Sequence, residues 1–508
     1  MIPIKTKKQI IFLLTFLFLN CTAFPQEKCS YVSINSNDNQ KEIIKKAANV
    51  VPTERQLAWQ KLELIAFIHF GMNTFTNNEW GNGKEDPKLF NPQKLDADMW
   101  VKAIKDGGFK QVILTCKHHD GFCLWPTKTT ERSVKNSSWR NGKGDVVREV
   151  SNACKKYNLK FGVYLSPWDR NASSYGTDSY NNFFIEQLTE LLTQYGEVSE
   201  VWFDGACGEG PNGKKQEYDY MRWYALIRSL QPNAVIAIMG PDVRWVGTES
   251  GKGRNTEWSV ITNDNLDQSV IAQNSQKEAI FPPIGDKTQQ DLGSRVIISK
   301  AKGLTWYPAE TDVSIRPGFF YHPSEDSKVK TPKELMDIYF TSVGMNSTLL
   351  LNIPPNTDGL LNENDIQSLK GFKSLLDNTF NKNLALGAKV SSTNGKNEKE
   401  IIDNNYSTYF TTNGAETTTT INISLPAEST FNVLSLQENI TVGQRVEEFG
   451  LEYQGHDGKW IPVTSGTTIG YKRLLRFEPL KAQNLRLKIL SSRLNPTISE
   501  FGIYYLND

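Results

Sequence analysis

The sequence predicts a (β/α)8-type barrel followed by a C-terminal antiparallel β-sandwich. Three observations carry that expectation. Short apolar runs rich in β-branched and aromatic residues alternate with amphipathic helical patterns between residues 64 and 355. Side chains able to do chemistry fall at the ends of those runs, where a barrel enzyme assembles its site. After about residue 381 the texture changes to short strand-like runs among Thr, Ser, Asn and Gly, the pattern of a sandwich.

The elements follow in order. Lys5, Lys7 and Lys8 precede the apolar run Ile10 to Leu19 and then Asn20-Cys21-Thr22-Ala23, which reads as a secretory signal over residues 1–23. The run is too short for a bilayer, which takes about 20 apolar residues. Export to a periplasm is therefore expected, with a lipid anchor on Cys21 as the alternative. Residues 24–54 form a lead-in and 55–362 the barrel. Its expected strands are Leu64–Phe70, Gln111–Lys117, Lys160–Ser166, Glu200–Ala206, Ala234–Met239, Thr256–Ile261, Leu304–Glu310 and Thr348–Pro355. Helical patterns intervene at Ala97–Lys105, Val146–Tyr157, Tyr180–Tyr195, Tyr218–Leu230 and Lys333–Ser342. Near-continuous apolar strands alternating with helices mean a parallel sheet covered on both faces. A helical linker over 363–380 leads to the sandwich at 381–508, with candidate strands including Thr420–Leu425, Thr430–Leu436 and Leu485–Ile489.

Composition narrows the function. Lys+Arg is 57 against Asp+Glu 56, a net charge of +1, which argues against a protein that neutralises many nucleic-acid phosphates. No segment after the leader approaches a transmembrane span. The 12 Trp, 18 Tyr and 25 Phe fill cores, and they also suit a protein that stacks sugar rings. Six cysteines lack any CxxC spacing, so buried free thiols are expected rather than structural zinc. Oligomeric state is not legible.

The strand ends carry the chemistry. His69 ends the first strand, and His118, His119 and Asp120 follow the second. Tyr164 and Trp168 end the third, Asp204 the fourth, and Glu310 and Asp312 the seventh. Asp204 in Trp202-Phe203-Asp204-Gly205 is either a reactive carboxylate or one bonded to loop amides. Glycoside hydrolysis needs a second carboxylate, for which Glu249, in a Gly-flanked loop, and Glu257 are the candidates. Adjacent His118 and His119 point to opposite sides of an extended segment, so a metal site in the barrel is not expected. Gly208 to Gly213 matches GxGxxG, but Lys215 stands where the magnesium-binding Ser or Thr of a phosphate loop should be.

The series Phe67-Ile68-His69-Phe70-Gly71, Glu79-Trp80, Lys117-His118-His119-Asp120-Gly121-Phe122 and Trp202-Phe203-Asp204-Gly205 resembles the α-L-fucosidases of glycoside hydrolase family 29. The resemblance implies a retaining exo-fucosidase without a required cofactor, with Asp204 as nucleophile. It places His69, Glu79, Trp80, His118, His119, Tyr164 and Trp202 on fucose. The string Arg244 to Glu249 and the block Trp306 to Arg316 resemble the subgroup that cleaves α-1,3 and α-1,4 fucose from branched, Lewis-type glycans. That implies Glu249 as acid/base, with Glu257 the runner-up. Trp80, Trp202 and Trp306 offer flat faces to the C6 methyl side of fucose. The tail, through Asn383-Leu384-Ala385, Ile402-Asp403-Asn404-Asn405 and Gly443-Gln444-Arg445-Val446, is similar to discoidin-type modules. It would bind glycan or buttress the barrel, and a structural calcium near Asp403 is a candidate.

Overall fold

The computed structural model describes residues 29–263 and 291–507. The expected signal peptide, Cys21 included, lies outside them. Eight parallel strands build the barrel: β1 (Leu64–Ile68), β2 (Gln111–Lys117), β3 (Lys160–Leu165), β4 (Glu200–Phe203), β5 (Val235–Ile238), β6 (Arg244–Trp245), β7 (Ala309–Ser314) and β8 (Ser347–Asn352). Their hydrogen-bonded order is β5-β4-β3-β2-β1-β8-β7-β6. A single parallel bridge between Ala237 and Val243 joins the two end strands. β1 and β2 are buried along their whole length, because one face fills the barrel and the other meets helices.

The helices form where the sequence caps them. Helix Val146–Tyr157 starts behind Asp145, whose side chain accepts the Arg148 N–H, and ends at Asn158 in the left-handed conformation. It buries Val146, Val147, Val150, Ala153 and Cys154, the 3–4 spaced apolar face. Helices Ala97–Asp106, Asp178–Gln194, Tyr220–Leu230 and Pro332–Thr341 lie within two residues of the expected positions.

Two barrel strands differ from expectation. Thr256–Ile261 does not enter the barrel. Val260–Thr262 instead joins Gly303–Trp306 and Tyr31–Ser33 in a separate three-stranded antiparallel sheet. Val260, Leu304 and Trp306 bury against Ile43, Ala47, Ile298 and Ile440, and such runs look like barrel strands because any doubly covered strand is apolar. The sixth strand is the two-residue β6, too short to show a period. The seventh starts after Pro308, at Ala309.

In the C-terminal module, strands Thr419–Glu438 and Arg473–Ser492, 20 residues each, pair antiparallel from Thr419–Ile489 to Leu436–Arg473. Register breaks at Ser424/Ser429 and Phe431/Val433 bend the ribbon. The expected runs Thr420–Leu425 and Thr430–Leu436 are thus two halves of one strand. Ile421, Phe431, Phe449, Leu487 and Phe501 form a core separate from the barrel's. Cys116, Cys123 and Cys154 are buried free thiols and Cys207 is half-buried, whereas Cys29 is disulfide-bonded. Among the described residues no helix is long and apolar enough to cross a membrane.

Candidate active site

At the C-terminal mouth of the barrel a cavity of about 400 Å³ is lined by Phe67, His69, Glu79, Trp80, His118, His119, Trp202, Asp204, Glu249, Asp312 and the 317–320 loop, among others. Three histidines are held in fixed tautomers. Asn352 donates through Nδ2 to Ser314 Oγ (2.9 Å) and the Phe319 carbonyl (2.8 Å), so its Oδ1 accepts from His69 Nδ1 at 2.8 Å. That leaves His69 Nε2 as an acceptor. Asn73 Nδ2 donates to His118 Nδ1 at 3.3 Å, which places the His118 proton on Nε2. Ser166 Oγ donates to the Trp168 carbonyl at 2.7 Å and accepts from His119 Nδ1 at 2.7 Å. Burial keeps all three rings neutral: it lowers His69 to about 3 and moves His118 and His119 below the ordinary imidazole value.

Asp204, just past β4, is oriented by two donors. Tyr164 O–H donates to Oδ2 at 3.0 Å and the Ala206 N–H to Oδ1 at 2.7 Å. His119 Nε2 stands 3.8 Å from the same Oδ2. Tyr164 stacks on Trp202, centroids 5.2 Å apart, and Trp202 Nε1 donates to Glu310 Oε1 at 2.7 Å. Tyr164 therefore works from beneath, supporting the carboxylate rather than lining the cavity.

Glu79 serves two elements at once. Its oxygens accept the N–H groups of Phe319 (2.9 Å) and Phe320 (3.1 Å), and His322 Nε2 lies 2.6 Å from Oε1. It thereby pins the loop after β7 over the cavity. Trp80, 55 % exposed, stands edge-on to His119 and Trp168 at 5.3 and 5.5 Å.

Glu249 sits in the loop after β6, between Gly247 (φ 109°) and Gly251 (φ 73°), both in the region that favours glycine. Partial burial in the cleft, then the Asp204 and Glu79 carboxylates, raise its carboxyl above the ordinary range. Asp312, across the cavity floor, accepts from Trp245 Nε1 at 2.7 Å. Burial, then Glu249, push Asp312 well up.

Two residues read from the sequence are elsewhere. Trp306 is buried in the small antiparallel sheet, its Nε1 donating to Gln60 Oε1 at 2.9 Å, and it does not line the cavity. Its strand ends two residues, Tyr307 and Pro308, before β7 enters the barrel. Glu257, the runner-up acid/base, is buried in ion pairs with Arg244 and Arg254 and does not line the cavity. Conversely, Phe319 and Phe320 pack edge-on to His69 at 5.1 and 5.3 Å and were not singled out, because a loop has no period to read. Asn352 had a signal: an amide ending an otherwise apolar strand. The Gly208–Gly213 loop does not open a helix, the next one starting at Tyr220, so it lacks the frame of a phosphate cradle. Among the described residues no group of three His, Cys, Asp or Glu could hold a metal ion. Asp403 Oδ1 accepts the Asn405 N–H (2.9 Å) and Oδ2 the Thr408 hydroxyl (2.7 Å). Nearby, burial and then Asp403 push the Glu500 carboxyl up to about 7.

Comparison with known proteins agrees with this fold. Residues 31–379 match the family model for α-L-fucosidase, and residues 387–501 that for the F5/8 type C domain. α-L-Fucosidase 1 of Arabidopsis thaliana is 43 % identical over 465 residues, covering 89 % of this chain and 87 % of its own length. A crystal structure of a glycoside hydrolase 29 family member from an unknown rumen bacterium is 40 % identical, with TM-score 0.75 over 90 % of this chain and 78 % of that one. A Ruminococcus gnavus GH29 fucosidase in complex with fucose is 34 % identical, with TM-score 0.79 over 90 % and 95 % of the two chains. The chain belongs to the α-L-fucosidases of glycoside hydrolase family 29 and carries a C-terminal F5/8 type C domain.

Proposed function

We propose that this α-L-fucosidase is a retaining exo-enzyme that releases α-1,3- and α-1,4-linked fucose from branched, Lewis-type glycans. The observation that supports it is one cavity holding two differently placed carboxylates, Asp204 and Glu249, beside three neutral histidines. Asp204, fixed by Tyr164 and the Ala206 amide, is the nucleophile. Its oxygen attacks the anomeric carbon as the glycosidic C–O bond breaks. Glu249, whose raised affinity for its proton suits a general acid, protonates the departing oxygen. Water then attacks the fucosyl–Asp204 ester while Glu249 takes its proton, and the configuration is retained.

The fixed tautomers give the sugar a donor and acceptor code. His118 Nε2–H donates to a hydroxyl, and His69 Nε2 accepts from one. A hydroxyl between His119 Nε2 and Asp204 carries one proton and donates to only one of these two acceptors. Trp80 and Glu79 complete the polar rim, and Trp202 with Phe67, Phe319 and Phe320 supplies the apolar wall for the C6 methyl group, in place of Trp306.

The linkage reading rests on the resemblance of 244–249 and 306–316 to one subgroup. The leader supports export to a periplasm or anchoring at Cys21. A calcium ion near Asp403 would be held by that carboxylate and Glu500, with a structural role. The deciding assay is fucose release from a Lewis-type trisaccharide, a 2-linked fucosyllactose and a nitrophenyl fucoside. Preference for the branched sugar is expected. Equal release from all three would discard the linkage claim, and none from any would discard the hydrolytic assignment.

A further inference from the structure

We propose that the C-terminal module sets the position of the acid/base, with Gln444 and Thr468 as positioning residues; this rests on the reading of Glu249 above. Residues 246–259 leave β6 as a loop carrying Glu249, held by the barrel from Val246 to Gly253 and by the sandwich from Asn255 onward. On the barrel side the Val246 N–H donates to the Glu310 carbonyl (2.9 Å) and the Gly251 N–H to that of Asp312 (3.2 Å). Thr341 Oγ1 donates to the Gly251 carbonyl at 2.9 Å.

On the far side the sandwich supplies partners beside two from the barrel, Asn346 Nδ2 donating to the Glu257 carbonyl at 3.1 Å and Arg244 Nη2 to that of Trp258 at 3.0 Å. The Asn255 carbonyl accepts from Thr467 Oγ1 (3.0 Å) and Arg473 Nη1 (2.9 Å). The Glu257 N–H donates to Thr468 Oγ1 at 3.0 Å. Gln444 spans two residues: Nε2 donates to the Glu257 carbonyl (2.9 Å) and Oε1 accepts the Ser259 N–H (2.8 Å). The Arg493 guanidinium lies 3.4 Å over the Trp258 ring. Gln444 and Thr468 are wholly buried, so no water replaces these bonds; losing Gln444 orphans the Ser259 N–H and losing the Thr468 hydroxyl orphans the Glu257 N–H.

The two anchored stretches are also tied to each other, because Arg244 and Glu257 form a buried ion pair. The Glu249 side chain has no such ties: it makes no hydrogen bond to a described side chain, and glycines flank it in left-handed conformations. Its location is therefore inherited from the anchors. A shift of the sandwich anchor moves the carboxyl relative to the leaving oxygen, and misplacement on the order of 1 Å costs about 10²-fold in such chemistry.

The signature separates positioning from plain stability. A sugar leaving group needs the proton from Glu249, whereas a dinitrophenolate leaves without it. Gln444→Leu and Thr468→Val should each lose roughly tenfold or more in kcat/KM on the fucosylated trisaccharide and stay within about twofold on dinitrophenyl fucoside. Thr468→Ser, which keeps the hydroxyl, should behave as wild type. Equal losses on both substrates, or none on either in folded protein, would overturn the proposal. If Gln444→Leu does not fold, the Thr468→Val and Thr468→Ser pair decides. Glu249→Gln run alongside keeps the two claims apart. If it spares the dinitrophenyl substrate and the Thr468 variants show no selectivity, the positioning role alone fails. If Glu249→Gln shows no leaving-group dependence, the acid/base reading itself fails.

Discussion

Replacing Glu257 by Gln tests the reading of that residue as a buried clamp rather than an acid. Its two oxygens meet Arg244 Nη2 and, at 3.2 Å, Arg254 Nη1, and the side chains of all three residues are 0–1 % exposed. Arg244 keeps other partners, the carbonyls of Tyr307 (2.9 Å) and Trp258 (3.0 Å). Arg254 does not: its Nε and Nη2 find no acceptor among the described residues. Glutamine preserves the shape and removes the charge, leaving guanidinium groups buried without a counter-ion. Breaking a buried pair from one side costs about 3–5 kcal/mol. Urea unfolding followed by tryptophan fluorescence measures it, fitted to the barrel's transition. Adding Arg254→Met should recover part of the loss, because the most isolated cation is then gone. A Glu257→Gln midpoint equal to wild type, corresponding to a loss below about 1 kcal/mol, would refute the reasoning.

Further outcomes follow from the same geometry. Tyr164→Phe removes the hydroxyl that orients Asp204. A hydrogen bond to a charged group contributes about 1.5–3 kcal/mol, so kcat/KM should fall roughly tenfold or more in steady-state assays while the melting temperature holds. Beneath the site burial raises Glu200 to about 7, and burial, then the Glu200 carboxylate, push Glu310 well up, its retained proton serving a hydrogen bond that favours the ionised Glu200. The folded chain thus keeps protons that the unfolded chain releases near 4.5, and stability should decline as pH rises from about 4.5 to 7. Glu310→Gln should flatten that decline in melting curves; an unchanged slope would count against it. If calcium bridges Asp403 and Glu500, a chelator lowers the module's melting temperature and added calcium restores it; no change in either direction would remove the ion from the account.

The fold was legible where periodicity had length to act. Helix Val146–Tyr157 could be read to the residue because Asp145 and Asn158 punctuate it. The polar side chains ending β1 to β4 located the mouth of the barrel, since each interrupts an apolar run at the same end. β6 was not legible: two residues have no period, and the neighbouring run ending at Ile261 looked more like a strand than β6 did. Trp306 shows the limit of composition, because an indole that stacks on sugar and one that fills a core are alike in sequence. Asn73, Ser166 and Asn352 escaped notice for another reason. They act by fixing histidine tautomers, and that role exists only once distant loops meet. The sandwich's grip on the Glu249 loop crosses almost 200 residues of chain, a separation no local pattern encodes.

The most direct test of the central claim is to trap the nucleophile. Incubation with a 2-fluoro-fucosyl fluoride slows turnover of the glycosyl ester, and peptide mass spectrometry then locates the adduct. The account predicts one fluorofucosyl group on the peptide containing Asp204, and none in Asp204→Asn. An adduct on another carboxylate, or release of sugar with inverted configuration and no adduct, would contradict it.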